Sequence, residues 1–250
     1  MEVKTPSRLE KVLAAGHLAV TSEVGPPRSC DGGEIEHKAH LIKDYVDAVN
    51  VTDNQTSVVR LCSLASCIRL KQMGLEPVLQ MTTRDRNRIA IQSDILGAAS
   101  FGICIMLCLT GDHQTFGDHP MSANVFDLDS VQLLQTVRLM RDEGKLLSGF
   151  EMKVRPNIFV GAAENPFAGP NVQLRAMRLA KKVAAGAEFI QTQCIYNVPK
   201  FKEWMKLVVD MGLHEKVAIL AGITPFKSLG MARYMKTKVP GMDVPDELID

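Results

Sequence analysis

Short, nearly continuous apolar runs alternate along the chain with longer segments whose apolar residues recur every three to four positions. The apolar runs are LAVTSEV (18–24), AVNVTD (48–53), PVLQMTT (77–83), GICIMLCLTGD (102–112), PNIFVGAA (156–163), FIQTQCIYN (189–197) and VAILAGITP (217–225). The amphipathic segments include SVVRLCSLASCIRLKQMG (57–74), DSVQLLQTVRLMRDEG (129–144), NVQLRAMRLAKKVAAGA (171–187) and VPKFKEWMKLVVDMG (198–212). Gly74, Gly144, Gly186 and Gly212 close helical segments, where a left-handed C-terminal cap requires glycine. Apolar strands separated by helices predict a parallel sheet covered on both faces. No GxGxxG follows the first strand, which removes the main support for a dinucleotide-binding open sheet. The expected fold is therefore an α/β (β/α)8 TIM barrel.

Seven strands are found where such a barrel needs eight. After VAILAGITP and the helical FKSLGMARYMKTK (226–238) the sequence runs into VPGMDVPDELID, which reads as a loop. The expectation is a barrel lacking its last strand and helix within these residues. Either the chain is short of the native one, or that segment is disordered or supplied by a partner. Residues 1–250 are expected to form a single domain.

Hydrophobic content of 46% supports a large core, and a net charge of +1 gives no electrostatic reason for nucleic acid or an anionic membrane as partner. The N-terminal stretch is neither a signal peptide nor a spanning helix, so a cytoplasmic location is expected. Cys30, Cys62, Cys67, Cys104, Cys108 and Cys194 form no CxxC or Cys/His ligand cluster, and no metal site is expected. Cys104 and Cys108 read as small core residues.

The first strand runs into Glu23 and then breaks at Gly25-Pro26-Pro27. A carboxylate there must be partnered, solvated or chemically used. Functional side chains of a barrel gather at the C-terminal ends of its strands. Those ends carry Glu23, then Thr52 with Asp53 and Asn54, Gln80 with Thr82, and Thr110-Gly111-Asp112-His113, followed by Glu164 with Asn165, Gln193 with Tyr196, and Thr224. Any one of these has an ordinary explanation: Asp112 as a helix cap, His113 as a solvated loop residue, Pro26-Pro27-Arg28 as a rigid turn. The set points to a shared pocket with Glu23 at its rim.

Six pieces in one order, EVGPPR (23–28), VNVTDN (49–54), LTGDH (109–113), VFDLDSVQLL (125–134), KKVAAGAEFIQTQ (181–193) and AGITP (221–225), resemble the methylenetetrahydrofolate reductases. The resemblance spans nearly the whole chain, and bacterial, acetogen-like flavin subunits are the nearest type. It implies a barrel that holds FAD and reduces 5,10-methylenetetrahydrofolate to 5-methyltetrahydrofolate in one-carbon metabolism. Glu23 would then be the general acid that opens the imidazolidine ring. Asp112 would lie between flavin and pterin, and Gln193 would bind the pterin together with Glu23 and Asp112. Cofactor contacts are implied at Thr52, Asn54 and Gln80, at Thr110, Gly111, Asp112 and His113, and at Phe126 and Leu128. Arg178 is implied as a further cofactor contact, and Lys181 and Lys182 near the FAD phosphates, although adjacent lysines on a helix also suit a solvated face.

A general acid for an amine leaving group needs a raised pKa, which burial and a second carboxylate, Asp112, would both supply. The sequence departs from the family pattern in several places: VGPPR replaces FFPPR, Thr110-Gly111-Asp112 replaces RGD, Gln80 replaces a histidine, and Arg175 and Arg178 replace smaller polar groups. The implied electron source is NADH or an electron-delivering partner subunit, which would have to carry any iron-sulfur relay. The assembly is expected to be an oligomer. Two other readings stand beside this one, a pterin-binding barrel methyltransferase and a non-catalytic assembly subunit.

Overall fold

The structure is a computed structural model and describes residues 3–239 and 241–249. By its internal contacts the chain divides into two compact units, Met1–Gly161 and Ala162–Asp250.

The first unit alternates helix and strand: α1 (Arg8–Ala14), β1 (Thr21–Val24), α2 (Gly33–Ile42), β2 (Ala48–Val51), α3 (Ser63–Gln72), β3 (Pro77–Thr82), α4 (Arg88–Ser100), β4 (Ile105–Leu109) and α5 (Ser130–Arg138). The strand β5 (Phe159–Glu164) crosses the division. The second unit continues with α6 (Val172–Ala185), β6 (Phe189–Cys194), α7 (Val198–Asp210), β7 (Ala218–Gly222) and α8 (Leu229–Lys238). The sheet order is sequential from β1 to β7, and the registered pairs β1–β2, β2–β3, β3–β4 and β6–β7 are parallel. A doubly wound sheet reverses its order at a switch point, whereas this one never does. The fold is a partial (β/α) barrel, as the alternating pattern predicts. No strand follows β7 among the described residues.

Local chemistry explains the element ends. Asn87, Asp129, Asn171, Asn197 and Ser228 cap α4 to α8 by accepting main-chain N–H groups, and Asp129 with Gln132 forms a full capping box. Gly74, Gly144, Gly186 and Gly212 all have φ between 64° and 114°, the left-handed caps expected of them. α5 widens into a π-helical turn at Leu139–Glu143 before Gly144 ends it.

Three expected boundaries are corrected. β1 is confined to Thr21–Val24, with Leu18 and Val20 exposed ahead of it. β4 begins only after Gly102 at φ 71° and ends at Leu109, because residues 110–112 turn away into a loop. The helix expected from residue 57 begins at Ser63, since Ser57 has a left-handed φ of 58° and Val58 and Cys62 have ψ of 132°, geometry that a helix cannot contain.

Register decides which side chains share a face in the first unit. Glu23 pairs with Asn50, Asn50 with Val78, and Gln80 with Leu107. Paired residues point the same way and alternate residues along a strand do too, so Glu23, Asn50, Gln80 and Leu107 lie on one face. The opposite face carries Val49, Val51, Leu79 and Met81, all at most 2% exposed. Burial raises the Cys104 thiol to about 11 and Cys108 higher still, leaving both as inert core residues.

Candidate active site at the strand ends

In the first unit the polar strand ends are organised by two residues whose importance the sequence pattern did not reveal. Asp53 is buried just beyond β2. Its Oδ2 accepts the Thr82 main-chain N–H and the Thr82 hydroxyl, each at 2.9 Å, and Arg86 Nη1 at 2.7 Å. Its Oδ1 accepts from Ser63 Oγ at 3.3 Å and Arg86 Nη2 at 3.2 Å. One carboxylate thus ties the end of β2 to the end of β3 and to the first turn of α3.

Arg84 is the second organiser, and it is buried as well. Its Nη1 donates to Ser57 Oγ at 2.8 Å and to the Asp112 carbonyl at 3.1 Å, and its Nη2 donates to the Asn54 carbonyl at 3.3 Å. Asp85 holds the guanidinium from its other side at 2.7 and 2.8 Å. The loop after β2 and the loop after β4 are therefore fixed to one another. A Cβ on Gly117 would lie 1.9 Å from the Ser57 carbonyl oxygen, so only glycine allows this approach. Asn54, Thr56, Ser57 and Phe126 all have positive φ, a concentration of unfavourable backbone of the kind that accompanies functional sites.

The residues expected here are distributed as follows. Thr52 is buried and its Oγ1 has no partner. Gly111 has φ 90°, and a Cβ there would lie 3.1 Å from Thr82 Cβ. Thr110 Oγ1 accepts the Ser130 N–H at 3.2 Å. Asp112 and His113 are exposed, and His113 Nδ1 lies 2.9 Å from Thr115 Oγ1. Leu128 is buried, whereas Phe126 is at the surface.

Glu23 is open to solvent at the end of β1, yet enough protein surrounds its carboxyl for desolvation to raise its pKa. A hydrogen bond from Gln80 opposes this and only partly offsets it. Asp112, the second expected contributor, is not among the causes, so burial alone carries the shift.

In the second unit, Gln193 is half-buried on β6 and its Oε1 accepts the Cys194 N–H at 3.1 Å. Tyr196 stacks on Phe226 at 4.3 Å and donates to the Thr224 carbonyl at 2.8 Å. The two lysines separate. Lys182 is buried with its Nζ 2.6 Å from Glu164 Oε2, while Lys181 and Arg178 are exposed on α6.

Comparison with known proteins gives the family. The model of the family described as methylenetetrahydrofolate reductase matches residues 8–250. The chain belongs to the methylenetetrahydrofolate reductase family. A "Probable methylenetetrahydrofolate reductase (NADPH)" of Caenorhabditis elegans is 22% identical over 97% of this chain. The chain spans about a third of that relative's length, with 35% of it covered. Among solved structures, an uncharacterized protein from Clostridium thermocellum that binds two copies of 5-methyl-5,6,7,8-tetrahydrofolic acid superposes with a TM-score of 0.63 at 13% identity, covering 96% of this chain and 77% of that one. A 2,3-dimethylmalate lyase of the PEP mutase/isocitrate lyase superfamily gives a TM-score of 0.53 at 14% identity, covering 99% of this chain and 94% of that one. At these identities the likenesses show the fold.

For this methylenetetrahydrofolate reductase family member, Asp53 and Arg84 are the strand-end residues that sequence reasoning undervalued. Two of the three residues that bond Asp53, Thr82 and Arg86, stand in one short stretch, TTRDR (82–86), whose alternating charges are the available signal. No helix among the described residues is long and apolar enough to cross a membrane.

Proposed function

We infer that the chain is the flavin- and folate-binding part of a methylenetetrahydrofolate reductase, reducing 5,10-methylenetetrahydrofolate to 5-methyltetrahydrofolate. The observation that carries this reading is Glu23, a strand-end carboxyl with its pKa raised by desolvation and no cation to hold it ionised. A raised pKa widens the pH range over which the carboxyl keeps its proton, and in that form it can deliver the proton to a leaving nitrogen. Here the carbon–nitrogen bond of the imidazolidine ring breaks, its electron pair stays on nitrogen, and the Glu23 proton goes to that nitrogen. Gln80 then stabilises the carboxylate left behind.

FAD suits the residues present. Thr52 offers a buried hydroxyl without a partner, and Gly111 leaves bare backbone where a Cβ would crowd Thr82. Asn54 stands in the loop after β2, and Thr110 and His113 stand with Asp112 in the loop after β4 that Arg84 joins to it; Phe126 and Leu128 lie farther along, ahead of α5. In the second unit Lys181 and Arg178 supply exposed charge for phosphate groups, and Lys182 serves Glu164. Gln193 can both donate to and accept from a pterin edge. The two-electron chemistry the reaction requires is what FAD supplies when bound.

The test is an absorption spectrum of the purified protein followed by anaerobic reduction and mixing with methylenetetrahydrofolate. Flavin bands that bleach and then return as 5-methyltetrahydrofolate forms are expected. A colourless protein that takes up no FAD but still binds the folate would replace this reading with the methyltransferase one.

A further inference from the structure

Asn50 sits beside Glu23 in the β1–β2 register, on the same face of the sheet, and is 2% exposed. Its Nδ2 is directed at the Ser22 carbonyl at 3.5 Å, which fixes the amide so that Oδ1 is the atom left over. That Oδ1 is buried and has no hydrogen-bond partner. A buried amide oxygen without a donor is costly, typically about 1–3 kcal/mol, so its retention next to a functional carboxyl calls for a reason.

The groups around Glu23 differ in what they can do. Gln80 donates to it, which favours the ionised carboxylate. An amide oxygen can only accept, so Asn50 Oδ1 can bond Glu23 only while the carboxyl carries its proton. The charged groups on the surrounding segments are engaged elsewhere. Lys38 Nζ, from α2, donates to the Gly25 carbonyl at 3.2 Å, and Arg60 Nη1 donates to the Pro26 carbonyl at 3.0 Å. Asp53, beyond the end of β2, is bound by Thr82 and Arg86. Arg84 is committed to Asp85, Ser57 and two main-chain carbonyls.

We propose that Asn50 is a positioning residue for Glu23, its Oδ1 accepting the carboxyl O–H and holding the acid in its neutral form until the proton is transferred. This rests on the reading of Glu23 as the acid of the folate reaction. The two amides then divide the catalytic cycle: Asn50 serves the neutral carboxyl before transfer, and Gln80 serves the carboxylate afterwards. Reprotonation from solvent restores the first state.

The experiment is an infrared pH titration of the carboxyl C=O band of Glu23 in the full chain, isolated by subtracting the E23Q spectrum. Asn50→Leu, nearly the same shape without the acceptor, is expected to move the midpoint down by roughly half a unit to one unit and the band to higher wavenumber. Asn50→Asp keeps an acceptor, adds a negative charge, and is expected to move the midpoint up, so it decides the matter should the leucine variant not fold. The high-pH limb of folate reduction should follow the midpoint in each case, with flavin reduction unchanged. Midpoints equal to wild type in every folded variant would overturn the inference while leaving the acid role of Glu23 intact. An E23Q enzyme reducing folate at the wild-type rate would overturn the acid role, and the inference with it, whatever the infrared titration shows.

Discussion

Lys182 Nζ lies 2.6 Å from Glu164 Oε2, and both side chains are at most 9% exposed. Removing one member of a buried pair strands the other charge, which typically costs about 3–5 kcal/mol. Lys182→Met should therefore lower stability to chemical denaturation by about that much. Lys181→Met, at an exposed position, should leave stability within about 0.5 kcal/mol and instead weaken FAD binding in a fluorescence titration. Equal loss of FAD affinity in both variants without any stability difference would return Lys182 to the phosphate site.

Asp53→Ala removes the acceptor of the Thr82 N–H and hydroxyl and of Arg86 together. Loss of about 3–5 kcal/mol is expected from urea unfolding, with binding of folate and flavin impaired because the ends of β2 and β3 are no longer joined. Unaltered unfolding midpoints would show that the clamp is redundant.

The pKa of Glu23 in the folded chain is raised by desolvation. Ionising it therefore costs the folded state more than the unfolded one, and this site contributes most favourably below the unfolded pKa, losing that contribution as pH rises through the folded value. Glu23→Gln should accordingly unfold at a higher temperature than wild type at pH 8, the gap closing as pH falls toward the ordinary glutamate range. A constant gap across that range would mean the carboxyl is not desolvated.

Asp112 belongs to the loop that Arg84 and Ser57 hold by its main-chain carbonyl. On the flavin reading, Asp112→Asn removes a negative charge near the ring and should raise the flavin midpoint potential. A potentiometric titration identical to wild type would place this carboxylate away from the ring.

Much of the fold was legible because it rests on local signals. Six of the seven strands lie inside the apolar runs and β5 passes the end of its run by one residue, Glu164; the four capping glycines take the left-handed geometry predicted for them. The pattern places the helix start at Ser57 rather than Ser63 because Ser57 is held by Arg84, a distant residue whose hydrogen bond leaves no periodic trace. α4 was not singled out, since it bears apolar residues on both sides, with Ile91 buried and Ile89 exposed. The separation of the lysine pair was open to detection: Ala176, Leu179, Lys182 and Ala185 recur every third residue on the buried side of α6, which puts Lys182 inside and Lys181 outside.

The most direct measurement is rapid mixing of the reduced Glu23→Gln enzyme with methylenetetrahydrofolate, with flavin reduction followed separately. Glutamine fills the site but delivers no acidic proton, and general acid catalysis is typically worth roughly 10²- to 10⁴-fold. The folate step should slow by that order while FAD stays bound and its reduction by an artificial donor keeps the wild-type rate. A folate step at the wild-type rate would contradict the assignment of Glu23 as the acid.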